Sequence, residues 1–102
     1  MNKEVKAKWV AALRSGEYKQ GKGRLKNINN EYCCLGVLCA LKTNNPMELE
    51  RCYPSESVVS WSEIDGYNPK LMYMGEITSV ATLNDHNELS FSQIADLIEA
   101  QL

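Results

Sequence analysis

Apolar residues at helical spacing predict a helix at each end of the chain. Residues 3–15 repeat apolar side chains at intervals of three and four positions, namely Val5, Trp9, Ala12 and Leu13. Gly16 follows at the position where helices commonly end. A last helix is predicted from Ser90 onward, because Ser90 and Gln93 have the spacing of a capping box. The apolar face of this helix is formed by Phe91, Ile94, Ala95, Ile98 and Leu102.

The longest uncharged stretch, residues 32–41, is predicted to lie in the core. It begins with residues that favour a strand and continues into a predicted helix over residues 34–43. Trp9 is predicted as the core anchor of the first helix, because a large ring dominates burial in a small domain. Gly36 has no Cβ, and it is therefore a predicted point of close approach for Trp9 or for the last helix.

A β-hairpin is predicted directly before the second helix. Residues 24–28 alternate polar and apolar side chains, which is the period of a strand. Asn29 and Asn30 suit a turn, and residues 31–34 then form the return strand.

The rest of the chain gives shorter signals. Residues 55–61 fit either a short helix capped by Ser55 or a strand, and residues 77–84 suggest a short helix. With 102 residues and no linker, residues 1–102 are predicted to form a single globular domain. The predicted fold class is α+β, with about four helices and one β-hairpin, whose small sheet a second copy could complete in a homo-dimer or higher oligomer.

Charge is distributed unevenly along the chain. Residues 1–30 hold eight Lys/Arg and two Asp/Glu, a net charge of +6, whereas residues 31–102 have a net charge of −8. The basic segment could bind an anionic ligand. Alternatively, it meets the acidic remainder of the protein itself or of a second subunit. The pI of about 5.4 and the lack of a nucleic-acid motif favour a compact anion over a long polyanion.

The four cysteines lack the spacing of a metal site. Cys33 and Cys34 are adjacent, Cys39 follows five positions later and Cys52 stands alone, so no pair has the spacing of structural zinc ligands. A nucleophilic cysteine would need a base, and His86 is the only histidine. We therefore predict thiols that serve as small buried packing groups, with no metal and no cofactor.

A ligand site is predicted from polar residues on both sides of the central apolar stretch. The loop 20–24 contains two glycines between cations and could wrap a phosphate. Cations, aromatic rings for a base, and polar groups for a ribose together give eight candidate ligand-binding residues: Arg14, Tyr18, Gln20, Lys22, Arg24, Trp61, Asn84 and Asp85.

Each candidate also has a structural alternative. Arg14 can complement the C-terminus of the first helix, and the glycines can form a hairpin entrance. Trp61 can be a core residue, whereas Asn84 and Asp85 can cap a helix end. Asp85 and His86 on a turn could also act as a general base.

The chain resembles small uncharacterised proteins of tailed bacteriophages and their prophages. The residues that carry the resemblance are Trp9, the run Ala12 to Gly21, Leu25, the run Tyr32 to Cys39, Leu83 to Asp85, Ser90, Phe91, Ile94 to Asp96, Ile98 and Glu99. The middle segment with Trp61 and Pro69 has no counterpart motif. The resemblance implies a phage protein that modulates its host.

Three functional hypotheses follow, and a non-enzymatic role ranks ahead of an enzymatic one. The first is a binder, or sponge, of a phosphate-bearing nucleotide-derived signal, such as a cyclic oligonucleotide or an ADP-ribose derivative, that antagonises host defence. The second is an interaction module that inhibits a host protein. The third is a small hydrolase that uses Asp85 and His86. All three place the protein in the cytoplasm of the infected host, because no apolar run reaches the ~18 residues of a membrane span and no signal peptide is recognisable.

The first two hypotheses predict different surfaces. A ligand binder requires a concave pocket where Arg14, the loop 20–24 and the Asn84–Asp85 turn meet. An interaction module requires an exposed apolar patch.

Overall fold

The computed structural model describes residues 1–102 and confirms the α+β fold class. The helices are α1 (Lys3–Arg14), α2 (Cys34–Lys42), α3 (Pro46–Leu49), α4 (Glu56–Ser62), α5 (Val80–Asp85) and α6 (Phe91–Gln101). The strands are β1 (Lys19–Gln20), β2 (Glu31–Tyr32), β3 (Lys70–Tyr73) and β4 (Glu76–Ser79). There are six helices rather than about four, because α3 and α4 are too short to show a clear period. No helix has both the length and the apolar character needed to cross a membrane.

The predicted helix ends are confirmed at both termini. The Asn2 side chain accepts hydrogen bonds from the backbone N–H groups of Glu4 and Val5, which caps α1. Gly16 has a φ of +78° just past the end of α1. At α6, both hydrogen bonds of the Ser90–Gln93 capping box are present.

The central apolar stretch is the scaffold of the core. Every residue from Cys33 to Cys39 is buried, and α2 contacts α1, α3, α4 and α5. Trp9 is fully buried, and its indole Nε1–H donates to the Cys34 carbonyl over 2.9 Å. Gly36 is a point of close approach, as predicted, but the neighbour is the backbone carbonyl of Leu25 and not Trp9 or the last helix.

The hairpin predicted over residues 24–34 is present only as a single antiparallel bridge and not as two full strands. β2 pairs with β1 in parallel, and only one antiparallel bridge, between Lys26 and Tyr32, remains of the predicted pairing. The Asn27 N–H donates across the predicted hairpin to the Glu31 carbonyl over 2.9 Å, but the two preceding amides bond elsewhere. The Leu25 N–H donates to the Arg51 carbonyl over 2.9 Å, and the Lys26 N–H donates to the Leu49 carbonyl over 3.0 Å.

The true hairpin is β3–β4, which the hydrophobic pattern did not predict. Met72 pairs with Ile77, and Tyr73 pairs with Glu76 across a two-residue turn. The turn residues Met74 and Gly75 have φ values of 53° and 80°, which is the conformation of a type I′ turn. The helix expected over 77–84 therefore begins three residues late, after the N-cap Ser79.

Candidate functional site

The structure brings four of the eight candidate ligand residues to one junction. Gln20 and Lys22 follow α1, and they meet Asn84 and Asp85 at the end of α5. A shallow hollow of about 270 Å³ at this junction is lined by Gln20, Gly21, Lys22, Asn84, Glu88 and Leu89. Sequence reasoning thus identified two segments more than 60 residues apart that do come together.

Asn84 is the centre of this junction, and all of its polar atoms are bonded within the protein. It is only 1% exposed. Its Nδ2 donates to the Gly21 carbonyl and to Asp85 Oδ1, each over 2.8 Å. Its Oδ1 accepts from Gln20 Nε2 over 2.9 Å, and Gln20 Nε2 also donates to the Leu89 carbonyl over 2.8 Å. We call Gln20, Gly21, Asn84, Asp85 and Leu89 the Asn84 clasp.

The place predicted for a phosphate is taken by a carboxylate of the protein itself. Asp85 Oδ1 accepts from the Gly23 backbone N–H over 3.2 Å. Lys22 Nζ lies 2.7 Å from Glu88 Oε1, and this hydrogen bond lowers the pKa of the Glu88 carboxyl. Asp85 and His86 share no hydrogen bond, so their side chains do not form a base–orienter pair.

Two other cations of the basic segment, Arg14 and Lys19, are also paired with carboxylates of the protein. Arg14 makes ion pairs with Asp96 (2.6 Å) and Glu99 (3.1 Å) of α6, which raise the pKa of its guanidinium, and it contacts neither half of the Asn84 clasp. Lys19 pairs with Glu31 over 3.5 Å. Every ion pair in the structure therefore joins a cation of residues 1–30 to a carboxylate of residues 31–102. The charge asymmetry is thus complemented internally in part, whereas Lys3, Lys6, Lys8, Arg24 and Lys26 take part in no ion pair.

The two aromatic candidates pack against the core. Tyr18 and Tyr32 meet edge to face with ring centroids 5.1 Å apart, and burial raises the pKa of the Tyr18 hydroxyl. Trp61 on α4 is half-buried against the core, and Lys42 Nζ lies 5.8 Å from its ring centroid. Neither ring faces the Asn84 clasp through a hydrogen bond or a stacking contact.

The buried cysteines are packing and capping groups. Burial raises the pKa of the Cys33 thiol to about 11 and that of Cys39 to about 12, and it also raises the pKa of the Cys34 thiol well above its ordinary value. These thiols stay protonated at neutral pH, so they are poor nucleophiles. Cys33 Sγ accepts from the Gly36 N–H over 3.4 Å as the N-cap of α2. Only Cys52 is exposed.

Sequence reasoning missed an exposed apolar surface on the β3–β4 hairpin. Met72, Met74 and Ile77 are 47%, 84% and 71% exposed. Because Met72 and Ile77 are direct cross-strand partners, their side chains share one face of the sheet. We call Met72, Met74 and Ile77 the hairpin patch. The signal in the sequence was three large apolar residues flanking Gly75 within six positions.

A second surface feature is a cleft of about 520 Å³ between the 24–30 loop and α3. It contains two cations, Arg24 and Lys26, which take part in no ion pair. Leu49 and Pro46 supply apolar surface, and Glu50 supplies the one acidic group. The lining residues are Arg24, Lys26, Asn27, Ile28, Asn30, Pro46, Leu49 and Glu50.

Comparison with known proteins adds a family but no activity. No curated protein and no solved structure matches the chain. One family model, described as "Domain of unknown function (DUF8296)", matches residues 1–102, which is the whole of the sequence. The chain therefore belongs to the family of this domain of unknown function.

Proposed function

We propose that this protein is a non-enzymatic interaction module that docks onto a partner protein through the hairpin patch. The observation that carries the proposal is Met74, which is 84% exposed and has a φ of 53°. Position one of a type I′ turn favours Asn, Asp or Gly, because a side chain with positive φ is strained. A methionine there gains nothing from burial and costs stability. A local rule broken without a structural gain is typical of a functional site.

The surroundings of Met74 support the same function. The hairpin patch adds Met72 and Ile77 on one face, and flexible methionines adapt well to the surface of a partner. Exposed apolar groups that cluster mark protein interaction sites more often than single exposed residues do. In contrast, both side-chain polar atoms of Asn84, the centre of the Asn84 clasp, are bonded within the protein and not free for a ligand.

The partner we propose is a host protein in the cytoplasm of an infected bacterium. The resemblance to phage and prophage proteins supports this choice, because small phage proteins outside the virion often inhibit host proteins. Binding without chemistry agrees with the protonated buried thiols and with the absence of a hydrogen bond between Asp85 and His86.

Affinity capture from bacterial cell extract, with mass spectrometry, tests the proposal. Met74→Ser removes the apolar tip of the hairpin and keeps the Cβ, so the backbone strain at positive φ is about unchanged. Met47→Ser is the matched control, since Met47 is 79% exposed on α3 outside the hairpin patch. We expect wild type and Met47→Ser to retain the same partner proteins in equal amounts. Met74→Ser should retain at least about tenfold less of them, because a central apolar anchor contributes over 1 kcal/mol to binding. Equal retention by all three proteins would refute the proposal.

A second candidate function, binding of a phosphate-bearing nucleotide-derived ligand, has the Arg24–Lys26 cleft in its favour. Its volume lies in the range of small-molecule pockets. The two cations could hold a phosphate, and Leu49 with Pro46 could contact a base. This cleft is a different place from the predicted one, and of the eight candidate residues it contains Arg24 alone.

A thermal-shift screen against cyclic dinucleotides, ADP-ribose derivatives and simple nucleotides tests the second candidate. A ligand present at 100 times its Kd stabilises the folded state by ~2.7 kcal/mol and so raises Tm. We expect Arg24→Gln to abolish the rise and Lys8→Gln, an exposed change on α1, to preserve it. If no compound in the screen raises Tm, this candidate is wrong.

A further inference from the structure

The β3–β4 sheet has two outer edges, and the protein closes one of them itself. The Met72 backbone N–H donates to Gln101 Oε1 over 2.7 Å, and Gln101 Nε2 donates to the Met72 carbonyl over 2.8 Å. The side-chain amide of Gln101 thus bonds β3 as a neighbouring strand would. The outer edge of β3 is therefore occupied at Met72 by a side chain of the protein itself.

The outer edge of β4 is open. Tyr73 and Glu76 flank the two-residue turn and bond each other, so the next pair, Met72 and Ile77, directs its backbone groups outward. The bonds from Gln101 to Met72 confirm this alternation. The N–H and C=O of Ile77 accordingly point away from β3, and no residue of the chain bonds them. Unpaired groups of this kind can pair with a strand from another chain.

We propose that the β4 edge pairs with β4 of a second copy, antiparallel about a two-fold axis at Ile77. The Ile77 N–H of each copy then donates to the Ile77 carbonyl of the other copy. Glu76 comes to lie opposite Thr78, so the register brings no like charges together. The product is a four-stranded sheet, which is more stable than an isolated two-stranded hairpin.

The geometry also explains why the second copy is the occupant that fits this edge. With the β3 edge occupied at Met72 by Gln101, β4 is the open edge of this sheet, so its pairing about a two-fold axis ends at two copies and forms no open filament. The side chains of Met72 and Ile77 from both copies then form one apolar stripe across four strands. The paired hairpins present a doubled hairpin patch to the partner protein. Only this role of the dimer rests on the proposed function, which it deepens.

Sedimentation equilibrium over a wide concentration range tests this inference. The contact is short, so we expect a concentration-dependent monomer–dimer equilibrium rather than a permanent dimer. Ile77→Pro removes the outward N–H and leaves the bonds to β3 intact, because proline is tolerated on an edge strand with its nitrogen outward. We expect it to raise the dimer Kd at least about tenfold by removing two hydrogen bonds. Ile77→Val keeps the N–H and the branched side chain, so it should dimerise as wild type does.

Gln101→Ala provides the converse test. It frees the N–H and C=O of Met72, so each molecule gains a second open edge, and species larger than dimers should form. If Ile77→Pro fails to fold, hydrogen exchange of wild type replaces it, and the Ile77 amide should become protected as the protein concentration rises. A monomer at every concentration with an unprotected Ile77 amide would overturn the inference, and so would a dimer that Ile77→Pro leaves intact or a Gln101→Ala protein that stops at two copies. Loss of the dimer inference alone would leave the Met74→Ser capture result standing, so the two failures are distinguishable.

Discussion

Gly36→Ala is expected to lower the free energy of unfolding by about 3 kcal/mol or more, which is a large part of the stability of a domain this size. At an ordinary helix position the same change stabilises a protein by ~1 kcal/mol, because alanine has the higher helix propensity. Here a Cβ on Gly36 would collide with the backbone carbonyl of Leu25. Leu25 cannot retreat easily, because its N–H donates to Arg51 and its carbonyl accepts from the Cys33 N–H over 3.2 Å.

Urea unfolding of Gly36→Ala and of Ala40→Gly on the same helix measures this effect. Ala40 is half-buried near the end of α2, so Ala40→Gly should cost the ordinary ~1 kcal/mol of helix propensity. Gly36→Ala should cost more although it improves propensity. A Gly36→Ala protein as stable as wild type would show that α2 and the Leu25 segment are not in contact.

Asn84→Leu is expected to lower the free energy of unfolding by about 2–4 kcal/mol, because each buried polar group left without a partner costs about 1–3 kcal/mol. The side chain keeps its size, but the Gly21 carbonyl loses its donor and Gln20 Nε2 loses one of its two acceptors. The change leaves the residue 20–23 loop joined to α5 by the Gly23–Asp85 hydrogen bond alone, so this loop should be the first segment to open.

A double-mutant cycle with Gln20→Met separates the clasp from simple packing. Because Gln20 and Asn84 bond each other, the losses of the two single variants should sum to more than the loss of the double variant. Lys22→Gln, which removes only the exposed ion pair with Glu88, should change stability little. If Asn84→Leu cost no more than Lys22→Gln, the Asn84 clasp would have no structural role.

The parts of the fold that were predicted correctly are those whose signals are local. The helices α1, α2 and α6 are predicted by the spacing of their apolar residues and by end signals such as Gly16 and the Ser90–Gln93 capping box. The segment 24–28 does not form the expected strand, because the N–H groups of Leu25 and Lys26 donate to the carbonyls of Arg51 and Leu49, more than 20 residues away. Alternation of side chains shows that a segment is extended but not which partner its backbone takes.

The contact between the 20–24 loop and the Asn84–Asp85 turn could be predicted from the sequence, but the bonding of their side chains within the protein could not. Asp85 accepts from the Gly23 N–H and Glu88 pairs with Lys22, and neither contact can be predicted because the partners are more than 60 residues apart in the sequence. The protein itself therefore neutralises Lys22, which the sequence suggested was available to a ligand. The exposure of Met74 could not be predicted either, because a short apolar run next to a glycine fits a buried strand equally well.

The two central features divide the molecule's tasks. The Asn84 clasp joins the basic N-terminal segment to the acidic C-terminal third and completes the fold. The hairpin patch extends from the other sheet and is an apolar surface that the fold itself leaves exposed. A residue change in the first should therefore alter stability, and one in the second should alter binding.

Methionine oxidation by short pulses of hydroxyl radicals, read by mass spectrometry, tests the docking claim most directly. Met74 and Met47 are similarly exposed, so in the isolated wild-type protein they should oxidise at similar rates. In concentrated bacterial cell extract, we expect the oxidation of Met74 to slow several-fold relative to that of Met47, because a bound partner covers the hairpin patch. An unchanged ratio of the two rates in extract would contradict the docking claim.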